Sequence, residues 1–330
     1  MAGAAVPAIL RSDRAATMAQ NAATKRAGVG SRTTRAFTLS AWGDRHFKWL
    51  LVAPAMILIL VLTVYPLAYS VWVTFVNFDF QIPGHAFVGL QNFEQVVADP
   101  IARSSLLITI ILTVSNVAIE FLLGLGLALA MTKVFPGRGA IMLVLIMPLF
   151  ISPVIVGQFW ALILQKPYGP FDYLVSQLLG HTTSVSWLTG DPWKFFSLIV
   201  ADVWQWTPFI FVILLAGLTS ISPELYEAAE LDGVGRWRTF WHITLPLLAP
   251  LILIAITFRL LDALKLFDII YVMTGGGPGT STYTTSFYLY QTGFQHFHLS
   301  QATAGSWIFL ILTAVLIMFL VRRLLRPEPA

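Results

Sequence analysis

The residues whose types are best suited to binding a solute lie in the fourth of the chain's long apolar runs. Asp202, Gln205, Trp206 and Phe209 stand there within one short stretch. A polyhydroxylated solute presents hydroxyl groups, which need carboxylates or amides, and apolar C–H faces, which need aromatic rings. Because the stretch offers both kinds of group, it is a candidate site for such a solute.

The fifth apolar run carries four ionisable residues at three-residue steps, Arg259, Asp262, Lys265 and Asp268. Their charges alternate in sign about one helical turn apart, so the four can neutralise one another as a ladder along one helix. A charge at the centre of a bilayer costs about 2.5–3.5 kcal/mol, so such groups also mark wet cavities. Both interpretations stay open for Lys265 and Asp268, whereas Arg259 and Asp262 lie deeper and are better candidates for lining a cavity.

Other polar residues give weaker signals. Asn116 and Glu120 lie four apart on one helical face, and Gln158 lies in the third run. Interhelical hydrogen bonds explain them as well as contact with a solute does. His296 and His298 flank one residue in a loop without nearby carboxylates or cysteines, so no metal site is predicted. No catalytic residue is predicted either.

The composition describes the frame that must position these residues. Of 330 residues, 57% are apolar and only 11% are charged, with a mean hydropathy of +0.77. Such a chain is predicted to cross a membrane several times. The net charge of +4 comes from segments flanking the apolar runs, so it indicates membrane topology and not nucleic-acid binding. The absence of cysteine excludes disulfides, thiolate zinc sites and cysteine nucleophiles.

Six apolar runs reach about the 20 residues that a helix needs to cross a hydrocarbon core of about 30 Å. All six are predicted to be helices, because a single chain in lipid must satisfy its own backbone hydrogen bonds. Pro148, Pro153 and Pro208 are expected to kink the third and fourth helices. The predicted spans are residues 48–74, 105–131, 139–164, 196–218, 247–273 and 303–325.

The termini indicate the orientation. Residues 1–46 are basic and hold no long apolar run, which predicts a disordered tail, with an organelle transit peptide as the alternative. Fifteen of the 20 Lys and Arg residues fall on the side that carries both termini and the loop between the fourth and fifth spans. The positive-inside rule places that side in the cytoplasm. Residues 47–326 are then an all-α, six-span membrane domain, and 327–330 form a short C-terminal tail.

The loop between the fourth and fifth spans, residues 219–246, is polar and densely patterned. Ser222 can cap a helix, Pro223 suits its first turn, and Gly233 can end it. The pattern predicts a helix of about nine or ten residues that is too short and too polar to cross the membrane. It should therefore lie along the membrane surface.

The spacing in this loop resembles the EAA loop of permease subunits of binding-protein-dependent ABC importers. It has a Glu-Ala-Ala triplet, then a glycine, then Ile-x-Leu-Pro. The resemblance implies a type I ABC importer permease fold, in which this helix is the coupling helix seated in a cleft of the ATPase. The residues that it assigns to ATPase coupling are Glu227, Ala228, Ala229, Asp232, Gly233, Ile243, Leu245 and Pro246.

The same resemblance implies partners. An importer of this kind contains a second permease subunit, two ATPase subunits and an external solute-binding protein, and it lies in a prokaryotic inner membrane. This chain has no Gly-x-x-x-x-Gly-Lys-Ser/Thr loop. The chain alone is therefore expected not to be an enzyme and to need no cofactor, because ATP and Mg²⁺ are bound by the partner ATPase.

The segment from Phe258 to Pro278, together with Val88–Phe93, looks like the first permease of carbohydrate importers of the maltose and glycerol-3-phosphate type. This implies a sugar, polyol or glycerol-phosphate-like solute, whose identity is set first by the external binding protein. In such permeases the substrate lies against the fourth and fifth core spans. The aligned positions here are Asp202, Gln205, Trp206, Phe209, Arg259, Asp262, Ala263 and Leu266.

Two rival functions remain at this stage. In an ion-gradient-driven secondary transporter, the charge ladder of the fifth span would relay a proton or sodium ion. That hypothesis leaves the EAA spacing unexplained. An integral membrane enzyme is disfavoured, because the sequence has neither His-Glu-x-x-His nor Gly-x-Ser-x-Gly.

Overall fold

The structure is a computed structural model that describes residues 37–78, 84–182 and 184–324. It divides into two compact units between Tyr69 and Ser70. The described part of the first unit is the N-terminal portion of one long helix, whose apolar side chains from Leu51 onward are mostly exposed. The candidate site lies wholly in the second unit.

The regular secondary structure of the described residues is helical, and their only β-type pairing is an isolated bridge between Val76 and Phe87. The α-helices are α1 Phe37–Thr74, α2 Gln91–Ala98, α3 Pro100–Ala130, α4 Arg138–Ile146, α5 Pro153–Ile163, α6 Pro170–Leu179, α7 Trp193–Ser220, α8 Pro223–Leu231, α9 Arg236–Thr239, α10 Leu245–Ala263, α11 Asp268–Met273, α12 Thr285–Tyr290 and α13 Leu299–Leu324. A 3₁₀ turn occupies Met147–Phe150, and π-helical turns occupy Phe240–Thr244 and Gln291–Gln295.

Five stretches of the described chain are long and apolar enough to cross a membrane as single helices, and a bent pair gives a sixth. The prediction of an all-α protein with six spans is confirmed. The five single spans are Leu51–Thr74, Pro100–Ala130, Trp193–Ser220, Arg236–Ala263 and Leu299–Arg322.

The third predicted span, 139–164, is not one kinked helix. It consists of Arg138–Phe150 and Pro153–Ile163, which meet at an angle of 102°. Pro153 begins the second helix at its first turn, where a missing N–H costs nothing. The carbonyl of Ile151, which the break frees, accepts a hydrogen bond from Gln205 Nε2 at 2.9 Å. Pro208, by contrast, lies inside the continuous helix α7.

The fifth predicted span, 247–273, also needs correction. The helix begins earlier, at Arg236, passes through the π-helical turn and ends at Ala263, while Asp268–Met273 form a separate helix. The final turn tightens, because the Lys265 N–H bonds to the Asp262 carbonyl three residues back. Thr284 Oγ1 then donates to the freed carbonyl of Leu266 at 2.7 Å.

The predicted tail needs a smaller correction. Helix α1 begins at Phe37, so 37–46 are helical and not disordered. The rest of the predicted tail, 1–36, lies outside the described residues, as does the predicted C-terminal tail at 327–330.

Helices α3, α7 and α10 form the centre of the second unit. Gly124 of α3 lies against α7, where a Cβ atom would stand only 2.9 Å from Ile210 Cγ2 and 3.1 Å from the backbone nitrogen of Phe211. Only glycine permits so close an approach without a shift. The close contact brings the polar faces of α3 and α7 together.

A hydrogen bond fastens the N-terminal end of α3 to α12. Tyr288 Oη donates to Asp99 Oδ2 at 2.7 Å. Burial, together with this hydrogen bond, raises the pKa of Tyr288, so the phenol stays protonated at neutral pH and remains a donor. Asp99 also caps α3 by accepting from the Ile101 N–H at 2.8 Å.

Candidate functional site

A buried ionic cluster joins the three central helices. Arg259 of α10, Glu120 of α3 and Asp202 of α7 are each at most 1% exposed. Charged side chains are almost never fully buried unless they are paired. These three residues define the ionic cluster.

The Arg259 guanidinium holds the ionic cluster together. It forms a bidentate contact with Glu120, in which Nε donates to Oε2 at 2.6 Å and Nη2 donates to Oε1 at 2.9 Å. Nη2 also donates to Asp202 Oδ2. Nη1 donates at 3.0 Å to Asp262, which is half exposed, and the ring of Trp206 lies 4.9 Å from the guanidinium carbon. The planar fork of arginine suits such simultaneous contacts.

The ionic cluster leaves acceptors unused. Asn116 Nδ2 donates to Asp202 Oδ2 at 2.5 Å. Three acceptor oxygens, Asn116 Oδ1, Asp202 Oδ1 and Gln205 Oε1, are buried without a hydrogen-bond partner among the described residues. Two buried carboxylates also face one guanidinium, so the formal charge of the ionic cluster is negative. A donor-rich group, such as a hydroxyl of a solute, matches this surplus of acceptors.

The predicted solute-binding residues do not all contact one another. Asp202, Trp206, Arg259 and Asp262 are in mutual contact through Arg259. Phe209 reaches this group only through an edge contact with Trp206, at 6.3 Å between ring centroids.

The other predicted positions have other partners. Gln205 is buried, and its amide nitrogen is used at the bend before α5. Ala263 is buried at the end of α10. Leu266 packs in an apolar cluster with Leu198 and Ile269.

The full charge ladder, one of the two interpretations left open, is not observed among the described residues. Only its first step, Arg259 to Asp262, is an ion pair. Lys265 is exposed beyond the end of α10, and Asp268 opens a different helix. Within the described residues, no ion pair connects Lys265 to Asp262 or Asp268. The long helix that a ladder requires ends too early.

Glu120 belongs to the site, although the sequence did not place it among the solute-binding residues. Of the two interpretations given for Asn116 and Glu120, hydrogen bonds between helices are observed, and the partner of Glu120 is Arg259, 139 residues away. The signal was present: a carboxylate and an amide four apart on one face of an apolar helix need a complementary group on another helix. Gln158, noted beside them, is exposed.

The polar loop forms the short helix that was predicted. Helix α8 has nine residues, with Pro223 in its first turn. Ser222 occupies the N-cap position, but its side chain makes no capping hydrogen bond, which corrects that part of the prediction. Ala229 is buried, whereas Glu227 and Ala228 are exposed.

The end of α8 is a Schellman motif built on Gly233. Gly233 has φ +72°, its N–H donates to the Glu230 carbonyl at 3.0 Å, and the Val234 N–H donates to the Ala229 carbonyl at 2.9 Å. Asp232 is the C-cap. The chain thereby reverses sharply and leaves Leu231 89% exposed at the tip. The remaining predicted coupling residues, Ile243, Leu245 and Pro246, lie where the chain re-enters the membrane helix.

Comparison with known proteins identifies the family. The family described as "Binding-protein-dependent transport system inner membrane component" matches residues 121–326, which contain α7, the short helix α8 and α10. This chain belongs to that family. It is a permease of a binding-protein-dependent ABC importer, and the predicted type I fold is confirmed.

Several relatives resemble this permease over most of its length. The trehalose/maltose transport system permease protein MalF of Thermococcus litoralis is 36% identical over 275 residues, covering 83% of this chain and 91% of the relative. The trehalose permease SugA of Mycobacterium tuberculosis is 32% identical, covering 86% and 91%. The sn-glycerol-3-phosphate permease UgpA of Agrobacterium fabrum is 30% identical, covering 84% and 94%.

A solved structure shares the fold of this permease. It is a chain of a bacterial ABC transporter involved in the import of the acidic polysaccharide alginate. The two chains are 26% identical with a TM-score of 0.75, and the match covers 88% of this permease and 100% of the other chain. A further structure of a bacterial alginate ABC transporter contains its pentasaccharide-bound periplasmic protein.

Proposed function

We propose that this permease moves a sugar, or a related polyol or glycerol-phosphate-like solute, from an external solute-binding protein into the cytoplasm. The observation that carries the proposal is the match to sugar and glycerol-phosphate permeases over more than four fifths of the chain. The buried surplus of acceptor oxygens around Asp202 supports it, because sugar hydroxyls are donors.

The solute is proposed to bind on the side of the ionic cluster that carries Asp262 and Trp206. Asp262 is half exposed and offers a carboxylate, and the partly exposed ring of Trp206 offers a flat apolar face. Arg259 orients both groups, through a hydrogen bond to the first and a cation–π contact to the second. Glu120 then acts as the internal counter-charge that keeps Arg259 in place.

The partners of this permease are proposed to be a second permease subunit, an ATPase dimer and the external binding protein. Helix α8 and the residues after it would seat on the ATPase, which binds ATP and Mg²⁺ and supplies hydrolysis. The exposed tip at Leu231 and the exposed Glu227 favour such a contact. The excess of Lys and Arg on the α8 side favours a cytoplasmic position for α8 and both termini.

Co-purification and reconstituted transport test this proposal together. The tagged chain, purified in mild detergent from its native membranes, is expected to bring a second permease and an ATPase in stoichiometric amounts. In proteoliposomes with the binding protein, uptake of maltose, trehalose or glycerol 3-phosphate should require ATP on the side of the membrane where the ATPase lies. Uptake by the chain alone without ATP would contradict the proposal.

The Asp262→Asn variant separates solute binding from folding. Because Asp262 is half exposed, loss of its ion pair should change the free energy of unfolding by less than about 1 kcal/mol. Loss of a charged acceptor for a solute hydroxyl should raise the KM for uptake about tenfold. Asp268→Asn, outside α10, is the matched control and should transport normally. An unchanged KM in Asp262→Asn would move the solute site elsewhere.

A further inference from the structure

A cavity lies on the opposite side of the membrane from α8. Helix α6 precedes the membrane-crossing helix α7, and α8 follows it, so α6 and α8 lie at opposite ends of that span. The cavity against α6 has a volume of about 580 Å³, within the range of small-molecule sites. Under the proposed function, α6 faces the external binding protein.

A buried carboxylate forms one wall of this cavity. Asp172, in the first turn of α6, is 4% exposed. Its Oδ1 accepts a hydrogen bond from Trp187 Nε1 at 2.7 Å. Its Oδ2 is buried and has no hydrogen-bond partner among the described residues. A buried carboxylate oxygen left without a donor is costly, so a structure that keeps one offers it to a ligand.

Aromatic packing holds the Asp172 carboxylate in a fixed orientation. The indole of Trp187 contacts Phe171 edge-on at 4.9 Å and Trp193 edge-on at 4.8 Å between ring centroids. Trp187 is itself only 5% exposed. The side chain that binds Oδ1 therefore cannot easily turn, and Asp172 lines the cavity with its second oxygen unbonded.

The remaining lining suits a carbohydrate. Tyr168 and Tyr173 are 89% and 65% exposed and present aromatic faces beside the carboxylate. Gln177 and Thr182 add an amide and a hydroxyl, which both donate and accept. A lysine or arginine from a protein partner has no acceptor, so it would leave the N–H donors of Gln177 and the O–H donor of Thr182 unused, whereas a sugar hydroxyl both donates and accepts.

We propose that the cavity formed by Asp172, Tyr168, Tyr173 and Gln177 is an external carbohydrate site that binds a pyranose ring of the transported solute. In it, Asp172 Oδ2 accepts a hydrogen bond from a sugar hydroxyl, and a tyrosine ring packs on the C–H face. This inference rests on the proposed function. It adds a second sugar-binding site, which the solute meets before it reaches the ionic cluster.

The test uses the assembled complex in nanodiscs and proteoliposomes, with a pyranose sugar that the wild type transports, maltose or trehalose. A wild type that transports only glycerol 3-phosphate would overturn the pyranose site. Without binding protein, saturating sugar should slow amide hydrogen exchange in residues 164–182. Asp172→Asn should lose this protection and raise the KM for uptake about tenfold or more. Asn can still accept from Trp187 Nε1, so the fold is spared, whereas its NH₂ group is a donor where Oδ2 was an acceptor.

The matched control is Glu94→Gln, which neutralises an exposed carboxylate of α2 that forms no ion pair among the described residues and should leave protection and KM unchanged. Absence of sugar-dependent protection in a complex that transports would overturn the inference while leaving the proposed function intact. A KM rise seen only with binding protein, with protection retained in Asp172→Asn, would also overturn it and identify a protein contact. If the complex transports no sugar, polyol or glycerol phosphate with ATP, the proposed function itself fails.

Discussion

The Arg259→Met variant should fail to accumulate as a stable complex. It removes the one guanidinium that pairs with both Glu120 and Asp202, which are at most 1% exposed. Breaking a buried ion pair by removing one partner costs about 3–5 kcal/mol, because the remaining charge stays buried without compensation. Here two carboxylates lose their partner at once. Thermal unfolding of the detergent-purified complex and its yield from membranes measure the effect.

Two further variants make this prediction specific. Lys265→Met removes a positive charge from the same region, but Lys265 is exposed, so stability should change by less than about 0.5 kcal/mol. The triple variant Glu120→Gln, Asp202→Asn, Arg259→Met replaces the whole ionic cluster by neutral groups of similar size, and most of the lost stability should return. Transport should not return, because the charged site is gone. If Lys265→Met proved as damaging as Arg259→Met, the ladder along one helix would be the correct description.

The Gly233→Val variant should assemble normally yet hydrolyse ATP without transporting solute. Gly233 has φ +72°, a conformation that a β-branched residue adopts only at a cost of about 1–2 kcal/mol or more. The Schellman motif would open, and the exposed tip of α8 at Leu231 would no longer hold its position. Uptake in proteoliposomes should fall at least tenfold, while ATPase activity and the composition of the complex persist.

Gly233→Asn is the matched control, because asparagine has a side chain of similar bulk but tolerates the left-handed conformation. A Cβ at position 233 meets no atom of this chain within 4 Å, so neither variant clashes internally. Gly233→Asn should therefore keep most of the uptake. Equal loss in both variants would show that bulk against the ATPase, and not the backbone, is responsible. Normal uptake in both would contradict the coupling role of this helix end.

The short helix α8 was predictable because its determinants are local. Pro223 at the first turn and Gly233 just beyond the end mark a helix from positions within one short stretch, and the helix observed between them has nine residues. Its missing side-chain cap at Ser222 changes neither boundary. A motif of this kind depends on the backbone conformations that proline and glycine favour by themselves, without contacts from the rest of the fold.

The bends in the third and fifth predicted spans depend on contacts between helices, which local sequence patterns do not show. Hydrophobicity identified residues 139–164 as long enough to cross the membrane, and Pro148 and Pro153 predicted a kink. They could not indicate an angle of 102°, because the angle depends on Gln205 of another helix satisfying the Ile151 carbonyl. The same holds for the end of α10. The carbonyl of Leu266, freed just beyond it, accepts a hydrogen bond from Thr284 Oγ1.

The sequence by itself determined the class of protein, the apolar stretches, the short helix α8 and the family, because composition and short spacings encode these directly. The tertiary structure alone decided the buried partners of Arg259. Spacing along the chain indicated Asp262, three residues away, and that ion pair forms, but the buried partners are Glu120 and Asp202, which are 139 and 57 residues distant. The packing of α3, α7 and α10 brings them together, because a charged group in a low-dielectric interior must be paired, whatever the distance along the chain.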